Sequence, residues 1–138
     1  MKKIFMFMMT YMLMTAYSYA RTVYLSIEDA LSADLAQASL DPDIKMSFGK
    51  GEISGEEMGT WVSNKKTNNV RKGVEASCQR AFVSALISLQ HRARSEGGTQ
   101  IVNIHSYYKK IPFWSDTEFH CEEGRIMSGV ALRGTVVK

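Results

Sequence analysis

The stretch that decides the fold is Cys78 to Gly98, CQRAFVSALISLQHRARSEGG. Cys78, Phe82, Ala85, Leu86, Leu89 and Ala93 recur at the three- and four-residue spacing of one helical face, while Arg80, Gln90, Arg94 and Ser95 fall elsewhere. The spacing predicts an amphipathic helix from about Glu75 to Glu96, stopped by Gly97 and Gly98. An apolar stripe of that length must be laid against another element, and the residues that follow supply strands. Gln100 to Tyr108 is rich in β-branched and aromatic residues, Thr117 to Glu122 reads as a second strand, and a third runs from about Arg125 to Val137 after a turn at Gly124. Helix, Gly-Gly turn and three-strand meander make an α+β unit. Gly129 and Gly134 inside the last strand point to a bulge or to close packing, with Ala85 and Gly129 as the expected facing pair. The outer face of this sheet reads as mostly short polar groups.

Towards the N-terminus, Ser26 offers a capping hydroxyl with Asp29 three residues on. Ile27, Ala30, Leu31 and Leu35 then predict a short amphipathic helix to about Ala38, ended by Asp41-Pro42-Asp43. Ile44 to Phe48 alternates apolar and polar residues, a strand with Ile44, Met46 and Phe48 facing inwards. Gly49 to Gly59 reads as a loop, Trp61 and Val62 as the start of a short strand, and Ser63 to Gly73 as a polar surface loop. The expected architecture is one long helix on a mainly antiparallel sheet of about three to five strands, with a short N-terminal helix.

Residues 1–20 read differently. Lys2 and Lys3 precede an uncharged apolar run from Ile4 to Ala16, and Ser18-Tyr19-Ala20 places small residues three and one before a cut. This is the layout of a secretory signal peptide cleaved after Ala20, and the run is shorter than the roughly 20 residues a spanning helix needs. Residues 21–138 then form a single α+β domain with no stable transmembrane anchor, in the periplasm or secreted. Cleavage removes six of the 9 methionines and two of the 17 basic residues, leaving fifteen against 14 acidic ones. So near-neutral a balance argues against a nucleic-acid partner. In an oxidising compartment the two cysteines, Cys78 and Cys121, are expected to pair rather than to hold zinc or act as nucleophiles. By chain-entropy reasoning, closing the loop between them contributes about 4 kcal/mol.

Four groups of residues could carry chemistry. His105 and His120 are expected on neighbouring strands, with Glu118 and Glu122 beside His120, a set that could bind zinc or copper. Trp61 with Lys65, Lys66, Arg71 and Lys72 could meet an anionic envelope polymer or lipid headgroup. Phe113 and Trp114, beside Tyr107 and Tyr108, read either as an aromatic anchor for a partner protein or as a loop covering the sheet edge. For a small hydrolase, neither a G-x-S-x-G elbow nor H-E-x-x-H is present, and Gly49-Lys50-Gly51 is not a P-loop. No enzyme activity and no cofactor are therefore expected.

Asp41 to Gly49, Thr60-Trp61 with Asn64 to Asn68, Cys78 to Gly98 and Glu118 to Gly134 together resemble a family of small exported proteobacterial proteins. Its members often carry a name borrowed from an excinuclease ATPase subunit. The helix, the Gly-Gly turn and Ile101-Val102-Asn103-Ile104 are also similar to the YbjQ-type small domain. With a cysteine before the final Gly-Val-Ala-Leu run, they are similar to the disulfide-bonded lipoprotein sensor of the Rcs envelope-stress pathway. These resemblances imply an α+β fold and a binding role. The function expected is a non-catalytic exported binding or accessory module of the cell envelope, with an envelope protein or anionic envelope component as partner.

Overall fold

The computed structural model describes residues 20–138, so all but the last residue of the leader reading lies outside the described residues. In chain order the elements are β1 (Arg21–Ser26), α1 (Ile27–Ser32), α2 (Asp34–Ser39), β2 (Lys45–Phe48), β3 (Glu57–Asn68), α3 (Val74–Ser95), β4 (Gln100–Ser106), β5 (Glu118–Glu123) and β6 (Met127–Val137). A single 3-10 turn covers Tyr108–Lys110. The fold is α+β, and the sheet has six strands, more than the three to five expected.

The extra strand length comes from β3, which runs through residues that read as loop on both sides of Trp61. Its polarity misleads because β3 lies at an edge, antiparallel to β6 over the whole of β6 and paired with no other strand. Lysines such as Lys65 and Lys66 are tolerated at a sheet edge, where they discourage pairing with other chains. The expected meander is also absent. β4 and β5 do not pair with each other; both pair with β6, β5 at Ser128 and Gly129, β4 from Leu132 to Val137. Eleven residues, 107–117, separate them, too many for a tight hairpin. β1 completes one side by pairing antiparallel with β5, and β2 the other by pairing parallel with β4.

Helix α3 covers the inner face. Cys78, Phe82, Ala85, Leu86, Leu89 and Ala93 are all buried, against Ile101, Ile104, Phe119, Val130, Leu132 and Val136. Phe82 stacks on Phe119 with ring centroids 4.1 Å apart and on the other side leans towards Phe48 at 6.0 Å. Cys78, in the first turns of the helix, is disulfide-bonded to Cys121 of β5 across a Cα–Cα distance of 5.9 Å, and both are fully buried. The close helix approach falls at Gly134 and not at Gly129. A Cβ on Gly134 would lie 2.7 Å from Ile101 Cγ2 and 3.7 Å from Leu89 Cδ1, whereas one on Gly129 would make only ordinary contacts, with Lys66 and Tyr108 at 3.7 Å and the Lys65 carbonyl at 3.9 Å. Five residues apart on one strand, the two glycines point to opposite faces.

The N-terminal helix is broken at Ala33, whose extended backbone (ψ 149°) separates α1 from α2. The carbonyl of Leu31 freed by the break accepts a hydrogen bond from Gln37 Nε2 at 2.7 Å. Gln90, expected off the apolar stripe, is buried as well. Its Oε1 accepts from the Asp41 N–H at 2.9 Å, and its Nε2 donates to the carbonyls of Asp41 and Ile44 at 3.0 and 3.3 Å. The side chain thus satisfies a backbone turn that has no partner in the sheet and ties the approach to β2 onto α3.

Gly134→Ala should destabilise the protein by about 1–3 kcal/mol through overpacking, while Gly129→Ala leaves stability within about 0.5 kcal/mol. Urea denaturation of both variants checks this, and equal effects would show that the helix approach is elsewhere. Gln90→Leu, which strands the Asp41 amide, should cost about 1–3 kcal/mol in the same assay.

Candidate functional site

On the outer face, the decisive local feature is a bulge in β4. The register of β4 on β6 shifts between Val102 and His105, and Asn103 adopts φ 53°. The extra residue lets Ile101 and Ile104 both face α3 and turns His105 outwards. Asparagine tolerates the left-handed region better than most residues, and here its side chain is used as well. Asn103 Oδ1 accepts from the Gly51 N–H at 3.1 Å and Nδ2 donates to the Gly51 carbonyl at 3.2 Å. The Gly49 N–H also donates to the Ile104 carbonyl at 2.9 Å. This loop therefore lies fixed against β4, and it presents Lys50.

His105 is built into the same corner. Its Nδ1 lies 2.8 Å from the Asn103 carbonyl, which can only accept, so Nδ1 carries the proton and Nε2 is left as an acceptor. Nε2 is shielded from solvent and has no hydrogen-bond partner. The connection after β4 folds back, pairing the backbone of Phe113 with Ser106 (Phe113 N–H to Ser106 carbonyl, 2.8 Å), and lays the Trp114 ring on His105 at 3.6 Å between centroids. Trp114 remains 40% exposed, with the Lys50 ammonium 5.5 Å from its ring centre. Arg133, the cross-strand partner of His105, places its guanidinium 5.0 Å from the Tyr107 ring. Among the described residues neither Lys50 nor Arg133 has a carboxylate within ion-pair distance.

A second group sits on the adjoining strands. His120 Nε2 is 2.7 Å from Glu122 Oε1, which also accepts from the Thr22 hydroxyl of β1. Tyr24 packs between Phe113 and His120 at 4.8 and 5.7 Å, and Tyr108 reaches His120 at 5.4 Å. The outer face is therefore aromatic and histidine-bearing, not a field of short polar groups, because the Tyr107 to Trp114 connection is laid across it.

Burial is the largest single influence on both groups, but it prevails only at His105. Desolvation, with the Arg133 charge beside it, holds His105 below its ordinary imidazole value against the opposing bond to Asn103. For Glu122, burial alone would raise the carboxyl, but the hydrogen bonds from Thr22 and His120 and the charges of His120 and Lys109 outweigh it and hold it low.

The two histidines are not gathered into one metal centre. They stand on strands paired with β6 rather than with each other, His120 is engaged by Glu122, and no cluster of three or more His, Cys, Asp or Glu that could hold a metal occurs among the described residues. Nor do Trp61 and its cations converge. Trp61 is half-buried, with Arg92 of α3 lying 5.4 Å from its ring centre. Lys65 and Lys66, opposite Val130 and Gly129, project to opposite faces, and Arg71 and Lys72 lie in the turn before α3. The structure brings Phe113 and Trp114 together with His105, and adds Lys50, Asn103 and Arg133, which sequence reading missed. Arg133 alone among the apolar residues of Val130 to Val137 was the available signal.

Both shifts predict loss of stability in acid. The fold disfavours protonated His105, so its contribution is complete above about pH 6.5 and declines as pH falls below it; that of Glu122 is lost lower still, as pH falls through its depressed carboxyl value. Chemical denaturation from neutral to acid pH should show a two-step decline, with His105→Gln abolishing the upper step and Glu122→Gln the lower. The chain matches no protein-family model, no curated protein and no solved structure.

Proposed function

We propose that this protein is an exported, non-catalytic binding or accessory module of a bacterial cell envelope, and that it meets its envelope partner through the outer sheet face around Trp114. The observation that carries this reading is the ring of Trp114, 40% exposed yet fixed on buried His105 and flanked by Lys50, with Arg133 across the strands from His105. A large flat side chain held rigid at the surface loses little entropy on binding, and tryptophan and arginine are enriched among the residues that dominate interface energies. The buried bond between Cys78 and Cys121 supports an oxidising compartment, as does the leader-like N-terminus. No helix among the described residues is long and apolar enough to cross a membrane.

Capture from envelope extract tests the reading. The partner recovered by the unsubstituted protein should be lost with Trp114→Ala and retained with Trp61→Ala. Retention by Trp114→Ala would place the contact surface elsewhere. Peptide mapping of the protein recovered from intact cells should find a mature chain beginning at Arg21.

A further inference from the structure

Arg133, Tyr107, His105, Trp114 and Lys50 follow one another across the outer face, three flat rings with a cation at each end. The ring stack is held in place: His105 by Asn103 and by its pairing opposite Arg133, and Trp114 by the Ser106–Phe113 bridge, while the backbone carrying Lys50 is held by the clamp of Asn103 on Gly51. Two of the five are permanent charges with no carboxylate partner among the described residues. A bulge with a non-glycine residue in the left-handed region, of the kind that gathers at functional sites, organises all of it.

Resting on the binding reading above, we propose that this strip is a site for an anionic glycan, a chain of sugar rings carrying carboxylate groups. A sugar ring has an apolar C–H face and a hydroxyl rim, which suit Trp114 and Tyr107, amphipathic rings set on either side of His105. Its carboxylates suit Lys50 and Arg133, which stand at the two ends of the same stack, so that charge and ring recur together along the face as they do along such a polymer.

Trp61→Phe leaves Trp114 as the one tryptophan of the chain, so its fluorescence reports on this face. Titration of this variant with oligogalacturonate should change Trp114 emission and give saturable binding, with affinity falling about tenfold between low and moderate salt. Isothermal titration of the unsubstituted protein should give the same affinity. Lys50→Ala and Arg133→Ala should each weaken binding by about tenfold at unchanged thermal midpoint. A neutral oligogalactose of equal length should not bind. Equal binding of the neutral glycan, tighter binding of polyphosphate or single-stranded DNA, or full affinity in the folded Lys50→Ala, Arg133→Ala double variant would each overturn the proposal. Failure to bind the glycan, alongside Trp114-dependent capture of an envelope protein, would overturn this assignment and leave the broader reading standing. Absence of any Trp114-dependent partner would overturn both.

Discussion

One edge of β6 has to serve two strands in succession, and most of the structure follows from that constraint. β5 takes Ser128 and Gly129, β4 takes Leu132 to Val137, and between them the Ala131 carbonyl is satisfied by the Tyr107 N–H at 2.9 Å. Strands that leave one edge at different points cannot pair with each other, so the chain between them must travel over the sheet. That is why Tyr107 to Trp114 lies on the outer face, and why this face is aromatic. On the inner face the same strand presents Val130, Leu132, Gly134 and Val136 to α3, with Gly134 admitting Leu89 and Ile101 to closest approach.

The two faces of the molecule are held by different physics. Inside, α3 is fixed by dispersion and apolar burial, with the Phe82 and Phe119 stack at its centre and Gln90 supplying the few polar bonds the turn at Asp41 requires. Outside, position depends on directional contacts: the Asn103 clamp, the Phe113 backbone bridge and the His105 bond to its own strand. Directional contacts fix the loops that carry Lys50 and Trp114 and leave these side chains accessible, which suits a preformed surface.

Long-period patterns made the inner half legible from sequence. The stripe from Cys78 to Ala93 named its own helix, and the alternation of Ile44, Met46 and Phe48 named a strand. The pairing of Cys78 with Cys121 followed from there being two cysteines in a chain with a secretory leader pattern. The outer half was illegible for physical reasons. β3 is an edge strand whose polar residues carry no apolar alternation, so Ser63 to Asn68 resembles a loop until β6 is placed beside it. A bulge reverses the face of every later residue in its strand, and nothing in the spacing of Ile101 to Ser106 announces that Asn103 will absorb it. Lys50 and Trp114, 64 positions apart, meet only because of that bulge.

The disulfide has a mechanical meaning beyond its entropy. β1 pairs only with β5, and β5 joins β6 through two register positions, so this two-stranded ribbon is thinly attached to the remainder of the sheet. The Cys78–Cys121 bond rivets it to the first turns of the helix, beside the Phe82 and Phe119 stack. It thereby merges what would otherwise be two cooperative units of unequal stability into one. Tyr24, His120 and Glu122 ride on the ribbon, while His105, Arg133 and Lys50 ride on the remainder. The covalent bond on the hidden face is thus what keeps the two halves of the exposed one in register.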